Sequence, residues 1–145
     1  MKRFASAFFI SFFFAQLASA QSAASGIVGT WFNEEKTSKV QIYQQGDRYF
    51  GKIVWLKEPN EGGKPRVDKE NPDAKLRTRP LLGLVLLSNF QYDEDNVWED
   101  GKIYDPRNGK TYSCKITKVS DRQLDIRGYI GTPLLGRTSK FTKAD

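Results

Sequence analysis

Between Ile27 and Lys143 the apolar residues recur at every second position, and runs of β-formers alternate with short clusters of Gly, Asn, Asp and Pro. A strand with one buried face produces that alternation, because successive side chains point to opposite sides of a sheet. The pattern predicts strands over 27–33, 38–45, 48–56, 84–92, 103–105, 110–119, 123–130 and about 136–143. In the second of these Val40 and Ile42 share a face. In the seventh, Leu124, Ile126, Gly128 and Ile130 alternate with Gln123, Asp125, Arg127 and Tyr129. Turn residues separate the strands: Gly46-Asp47, and Pro106-Arg107-Asn108-Gly109, whose Asn-Gly suits the positive φ angles of a tight reversal. Glu99-Asp100-Gly101-Lys102 is open to a second hairpin turn, in which case Asp93 to Asn96 is a bulge or a loop.

Eight sequential strands close most economically as an antiparallel barrel, which leaves no exposed edge to protect. The fold class expected is therefore all-β, a single barrel whose interior either fills with side chains or holds one small ligand. One stretch departs from the pattern. Lys57 to Pro80 has no alternation and carries Gly62-Gly63, four prolines and mixed charge, so it reads as a long loop, shortened by a helical turn over Asp73 to Arg77. No linker divides the chain, and 21–145 is expected to be one domain.

The first twenty residues stand apart: Lys2 and Arg3, an apolar run from Phe4 to Leu17, then Ala18-Ser19-Ala20. This is the order of a secretory signal peptide cleaved between Ala20 and Gln21, which directs the protein to the periplasm or beyond the cell. Removal of Lys2 and Arg3 takes the net charge from +6 to +4. Acidic residues are interspersed with the remaining basic ones and no block of five like charges occurs, which argues against nucleic acid as a partner. After the leader no apolar run is long enough for a membrane helix. Cys114 is the single cysteine, so no internal disulfide forms, and its place in an alternating run points to burial. With no cysteine following the cleavage site, a lipoprotein anchor is not expected.

The absence of histidine removes Ser-His-Asp and Cys-His nucleophile systems and His-based zinc sites together. Gly62-Gly63-Lys64 lacks the spacing of a phosphate loop, and Asp68, Glu70 and Asp73 lack the glycine and spaced glutamate of a calcium loop. Asp100 and Asp105 are the nearest candidates for an acid-base pair, but Asp105 before Pro106 is better suited to making a turn. We expect neither an enzyme nor a bound cofactor or metal. The remaining cluster is aromatic and cationic: Tyr104, Tyr112, Arg127 and Tyr129 on late strands, with Arg77 and Arg79 from the long loop. At a barrel mouth, such groups suit an amphipathic ligand with a carboxylate head. The alternation allows the opposite placement, in which Arg127 and Tyr129 face outward because Leu124 and Ile126 face in. Two identical tetrapeptides, Pro80-Leu81-Leu82-Gly83 and Pro133-Leu134-Leu135-Gly136, precede strands and either cap the core or form an apolar rim.

Gly29-Thr30-Trp31 resembles the Gly-x-Trp element of lipocalin-like barrels, which implies that Trp31 plugs the closed end with an arginine across its indole, Arg137 or else Arg127. A larger resemblance spans nearly the whole chain after the leader. Asn71-Pro72-Asp73, Leu76-Arg77, Arg79-Pro80-Leu81, Gly101 to Pro106, Gly109 to Tyr112, Arg127-Gly128-Tyr129 with Gly131, and Leu135 to Thr138 resemble domain-of-unknown-function family 2147, small exported bacterial proteins. The resemblance implies a periplasmic or secreted lipocalin-like barrel and carries no catalytic or binding residues with it. Two functions follow as expectations. One is a binding protein for a small apolar or amphipathic ligand; the other is a filled-core module that binds another envelope protein through the 57–80 loop and the Leu-Leu turns. Core volume separates them: Trp31, Tyr49, Trp55 and Tyr112 all pointing inward would fill the barrel.

Overall fold

The computed structural model describes residues 20–144, so the predicted leader lies outside the described residues save for Ala20. Alternating burial and short turns give the strands β1 (Gly29–Phe32), β2 (Ser38–Gln45), β3 (Arg48–Leu56), β4 (Asn60–Glu61), β5 (Lys64–Pro65), β6 (Val85–Glu94), β7 (Val97–Asp105), β8 (Lys110–Ser120), β9 (Gln123–Tyr129) and β10 (Arg137–Lys143). All but β4 and β5 form one closed antiparallel barrel in the order β1-β10-β9-β8-β7-β6-β3-β2. Each barrel strand therefore pairs with its neighbours along the chain, and β1 closes the ring by pairing with both β2 and β10. No helix of the described residues is long and apolar enough to cross a membrane.

The β6–β7 hairpin settles the ambiguity at Glu99 to Lys102. The chain reverses at Asp95 and Asn96, both at positive φ, and Gly101 falls inside β7, where the register shifts between Trp98 and Gly101. The cause is the Phe90 ring on β6. A Cβ on Gly101 would meet the ring carbons at 2.3 Å, so the strand bulges there and only glycine admits the aromatic side chain. The other turn behaves more simply. Asp105 Oδ1 accepts the Arg107 backbone N–H at 2.9 Å and its carbonyl accepts the Gly109 N–H at 2.8 Å; only Gly109 of the Asn-Gly pair takes positive φ.

One end of the barrel is packed solid. Trp31, Tyr49, Phe90 and Trp98 are buried there, with the Tyr49 and Trp98 rings edge to face at 6.4 Å. The chain before β1 crosses under them. Residues 20–24 form a helical turn, the Trp98 indole N–H donates to the Ala24 carbonyl at 3.0 Å, and the Trp31 indole N–H donates to the Ile27 carbonyl at 2.9 Å. Each indole buried by the fold thus finds a backbone acceptor. The cation over Trp31 is Lys143, 4.6 Å from the ring centroid, and neither of the two arginines expected there. Arg137 lies six residues earlier on β10, roughly 20 Å along the strand at the spacing of extended chain, and so belongs to the opposite end. Trp55 does not enter the core either; it is 38% exposed and packs edge to face on Phe32, with Lys39 over both rings.

The long loop folds against the outside of the barrel. Its 3-10 turn, Ala74–Leu76, is capped by Asp73, whose side chain accepts the Lys75 N–H. At its centre Asp68 is fully buried and takes three donors: Tyr104 Oη at 2.6 Å, Asn71 Nδ2 at 2.8 Å and Arg79 Nε at 2.9 Å. Burial pushes the Asp68 carboxyl up, but those hydrogen bonds and the Arg79 charge outweigh it and hold the group below the ordinary carboxylate range. The Glu70 carbonyl then packs on the β7–β8 turn, where a Cβ on Gly109 would overlap it.

Candidate functional site

Where the large aromatics end, the barrel opens. The half towards the β1–β2, β7–β8 and β9–β10 connections holds a cavity of about 970 Å³. Its walls are apolar: Val40, Ile53, Leu86, Ile103, Ile126 and Phe141. The strand pairing shows why the space is free. Residues directly opposite across a ladder share a face, so Phe141 opposite Leu124, Ser139 opposite Ile126 and Arg137 opposite Gly128 give the inner face of the β9–β10 pair. Side-chain bulk falls along that face from Leu124 and Phe141 near the packed end to a bare glycine at the mouth.

The rim carries charge. Arg107 is bound to Asp105 through Nε at 3.0 Å and Nη2 at 3.1 Å and reaches Glu35 at 3.8 Å; Arg66 pairs with Glu58 at 3.3 Å. Burial raises the Asp105 carboxyl, and the hydrogen bonds and charge of Arg107, joined by the Arg137 charge, bring it below the usual carboxylate range. Arg137 is exposed, lines the cavity and has no hydrogen bond or ion pair among the described residues.

The predicted ligand residues divide. Tyr112 stands on the inner face, opposite Ile103, and its hydroxyl accepts Asn108 Nδ2 at 3.1 Å. Tyr129 reaches the cavity only from the end of β9. Tyr104 touches the rim but its hydroxyl is directed to Asp68 in the loop network, and burial with that hydrogen bond pushes its pKa up to about 12. Arg127 is corrected: it alternates with Ile126 and Gly128, faces outward, and clamps the β9–β10 connection through the Pro133 carbonyl and the Thr138 hydroxyl. Arg77 is also corrected; exposed on the loop, it donates to the Asn71 carbonyl at 2.7 Å and does not line the cavity. Arg137, expected at the plug, lines the cavity in their place, beside Lys57, Arg66 and Arg107.

Sequence reasoning missed two further residues. Gly128 was legible as an inward position but not as a gap. Asp68 resembled a solvated loop acid and is the buried anchor of the loop, a role set by Tyr104, 36 residues on. Among the described residues no three or more His, Cys, Asp or Glu gather as a metal site.

Residues 29–143 match the family described as "Uncharacterized protein conserved in bacteria (DUF2147)". Among solved structures the chain is similar to protein HP1028 of the human pathogen Helicobacter pylori, which is described as belonging to the lipocalin family. The TM-score is 0.72 and the identity 23%, over 82% of this chain and 83% of that one. That likeness shows the fold. No curated protein matches the chain.

Proposed function

The chain belongs to DUF2147, a bacterial family with a lipocalin-like barrel, and from the cavity in its open half we propose that it binds a small apolar or amphipathic ligand. The observation that carries this reading is the division of the barrel. Of the four aromatic side chains that would have filled it, Trp31 and Tyr49 are gathered at one end and Trp55 is placed outside; only Tyr112 enters the open half, and about 970 Å³ remains. That volume and its apolar walls suit a drug-sized apolar molecule. Binding is favoured over catalysis because the rim carboxylate Asp105 is held in its charged form by Arg107, the opposite of what a general acid needs. The leader pattern, Lys2-Arg3 with the apolar run to Leu17, supports a periplasmic or secreted location.

Native mass spectrometry of the protein purified from its own host tests the reading. The expected result is a stoichiometric small adduct that is lost on denaturation. A bare mass, with nothing recovered by solvent extraction, overturns it. One observation favours a second function, docking to another envelope protein: Ile130, Leu134 and Leu135 on the β9–β10 connection are 72%, 89% and 80% exposed.

A further inference from the structure

We infer that the ligand is a single-chain amphiphile whose carboxylate head is held over Gly128, between Arg137 and Tyr112, with its chain lying along the apolar walls below. This deepens the binding reading and rests on it. Arg137 stands directly opposite Gly128 on β10, and β8 brings Tyr112 to the other side, its Cβ 3.7 Å from where a Gly128 Cβ would lie. Gly128 therefore puts no side chain of its own between Arg137 and Tyr112, and an Ile103 methyl already lies 3.3 Å from where its Cβ would be, so the head sits across the mouth above Ile103 and not in a recess of the wall. Both flanking groups have donors to offer. Arg137 has no hydrogen-bonded acceptor or ion-pair partner among the described residues, and the Tyr112 oxygen accepts from Asn108, which leaves its own O–H to donate.

The charged residues of the rim sum to zero, four acids against four bases, so the head is held by free donors and not by a surplus of positive charge. Glu58, Glu35 and Asp105 are each within 4 Å of an arginine, Arg66 or Arg107. Besides Arg137, that leaves Lys57 and Glu34, both exposed on the connections beside β3 and β1. What Arg137 offers is geometric: a guanidinium presents two parallel donors to a planar carboxylate, and these have no hydrogen-bonded acceptor among the described residues. Below Gly128, Ile126 and Phe141 continue the inner face with the Ser139 hydroxyl between them, so a chain anchored there runs along a mostly apolar wall.

The test is a pair of amide NMR titrations with decanoate and decanol, which share a chain and differ in the head. The wild type is expected to bind decanoate at least about tenfold more tightly, the lower end for hydrogen bonds to a charged group. In Arg137→Gln that preference disappears while decanol binding is unchanged, and Tyr112→Phe, which keeps the ring and loses the hydroxyl, gives a smaller loss confined to decanoate. The same spectra report whether each variant retains the β9–β10 pairing, so the two variants check one another. Equal binding of the two ligands by the wild type, or a preference that survives in both variants, overturns the head-group site and leaves the cavity reading standing. Binding of neither ligand overturns both.

Discussion

The Lys143 ammonium lies 4.6 Å from the centroid of the Trp31 ring, and the two residues are paired directly across β1 and β10. Trp31 is fully buried with its indole N–H bonded to the Ile27 carbonyl, so the ring joins three parts of the packed end: the chain before β1, the last strand and the core. A cation on a ring face contributes through the quadrupole, and the lysine stem covers apolar surface while doing so.

Trp31→Ala is expected to cost about 3–5 kcal/mol, since it removes the largest side chain of a fully packed end. Lys143→Met keeps the stem and removes the charge, and should cost about 0.5–2 kcal/mol. Arg137→Lys, at the far end of β10, should stay within about 0.5 kcal/mol of the wild type, as exposed substitutions do. Denaturant titration measures all three. A loss above about 1 kcal/mol for Arg137→Lys contradicts its placement at the mouth.

Gly101→Ala forces a Cβ to within 2.3 Å of the Phe90 ring. The ring is buried and has no free space to turn into, so the expected loss is about 1–3 kcal/mol. Phe90→Leu removes the clash. In the double variant the cost of the alanine should fall to near zero, a coupling that a double-mutant cycle reads directly. Additive losses would show that something other than this contact requires the glycine.

Period two states which face of a strand a residue occupies, and Val40, Ile42, Tyr49 and Ile53 follow it into the core; Trp55, in phase with Tyr49 and Ile53, does not, because the β2–β3 register shifts between Lys39 and Val40. The period does not state which end of the barrel a residue reaches. Arg137 and Lys143 share a face of β10 and differ only in distance along it, so the arginine expected over Trp31 was misplaced and the Lys143 ammonium lies over the ring instead. Gly101 misled for another reason. Its neighbours carry a local turn signal, and the contact that overrides it comes from Phe90 on the adjacent strand. Asp68 is the extreme case, because its burial depends on partners 3, 11 and 36 residues away and leaves no local periodic trace.

Cys114 is buried opposite Gly101 and Gly128, and desolvation pushes its thiol up to about 12. The native protein should therefore react with an aromatic disulfide reagent at pH 8 only through unfolding, because the thiolate is the nucleophile and is both scarce and covered. Full reaction is expected in denaturant. Labelling of the native protein at the rate of a free thiol would place Cys114 at the surface.

The loop network around Asp68 titrates at both ends of the pH scale, in opposite senses. The Asp68 carboxyl is held below its ordinary value when folded, so the unfolded chain binds its proton first as pH falls. Its contribution to stability is complete above about pH 4 and is lost below that, through the folded value. Tyr104 is the reverse case. Burial, then the hydrogen bond and charge of Asp68, raise its phenol to about 12 against an unfolded value of 10.0, so its contribution is complete below pH 10 and lost between there and about 12. Tyr104→Phe should reduce the alkaline loss, leaving the part contributed by the buried Tyr49 phenol and Cys114 thiol, both also raised by burial, and cost about 1.5–3 kcal/mol at neutral pH, the range for a hydrogen bond to a charged group. Asp68→Asn should remove the acid limb and accelerate proteolysis within the 57–83 loop, since the neutral amide cannot accept from Arg79 and Tyr104 as the carboxylate does. Denaturant titrations across pH, with the phenolate absorbance followed in parallel, check both limbs. An alkaline limb of undiminished size in Tyr104→Phe would assign it wholly to Tyr49 and Cys114 and detach the loop from the barrel wall.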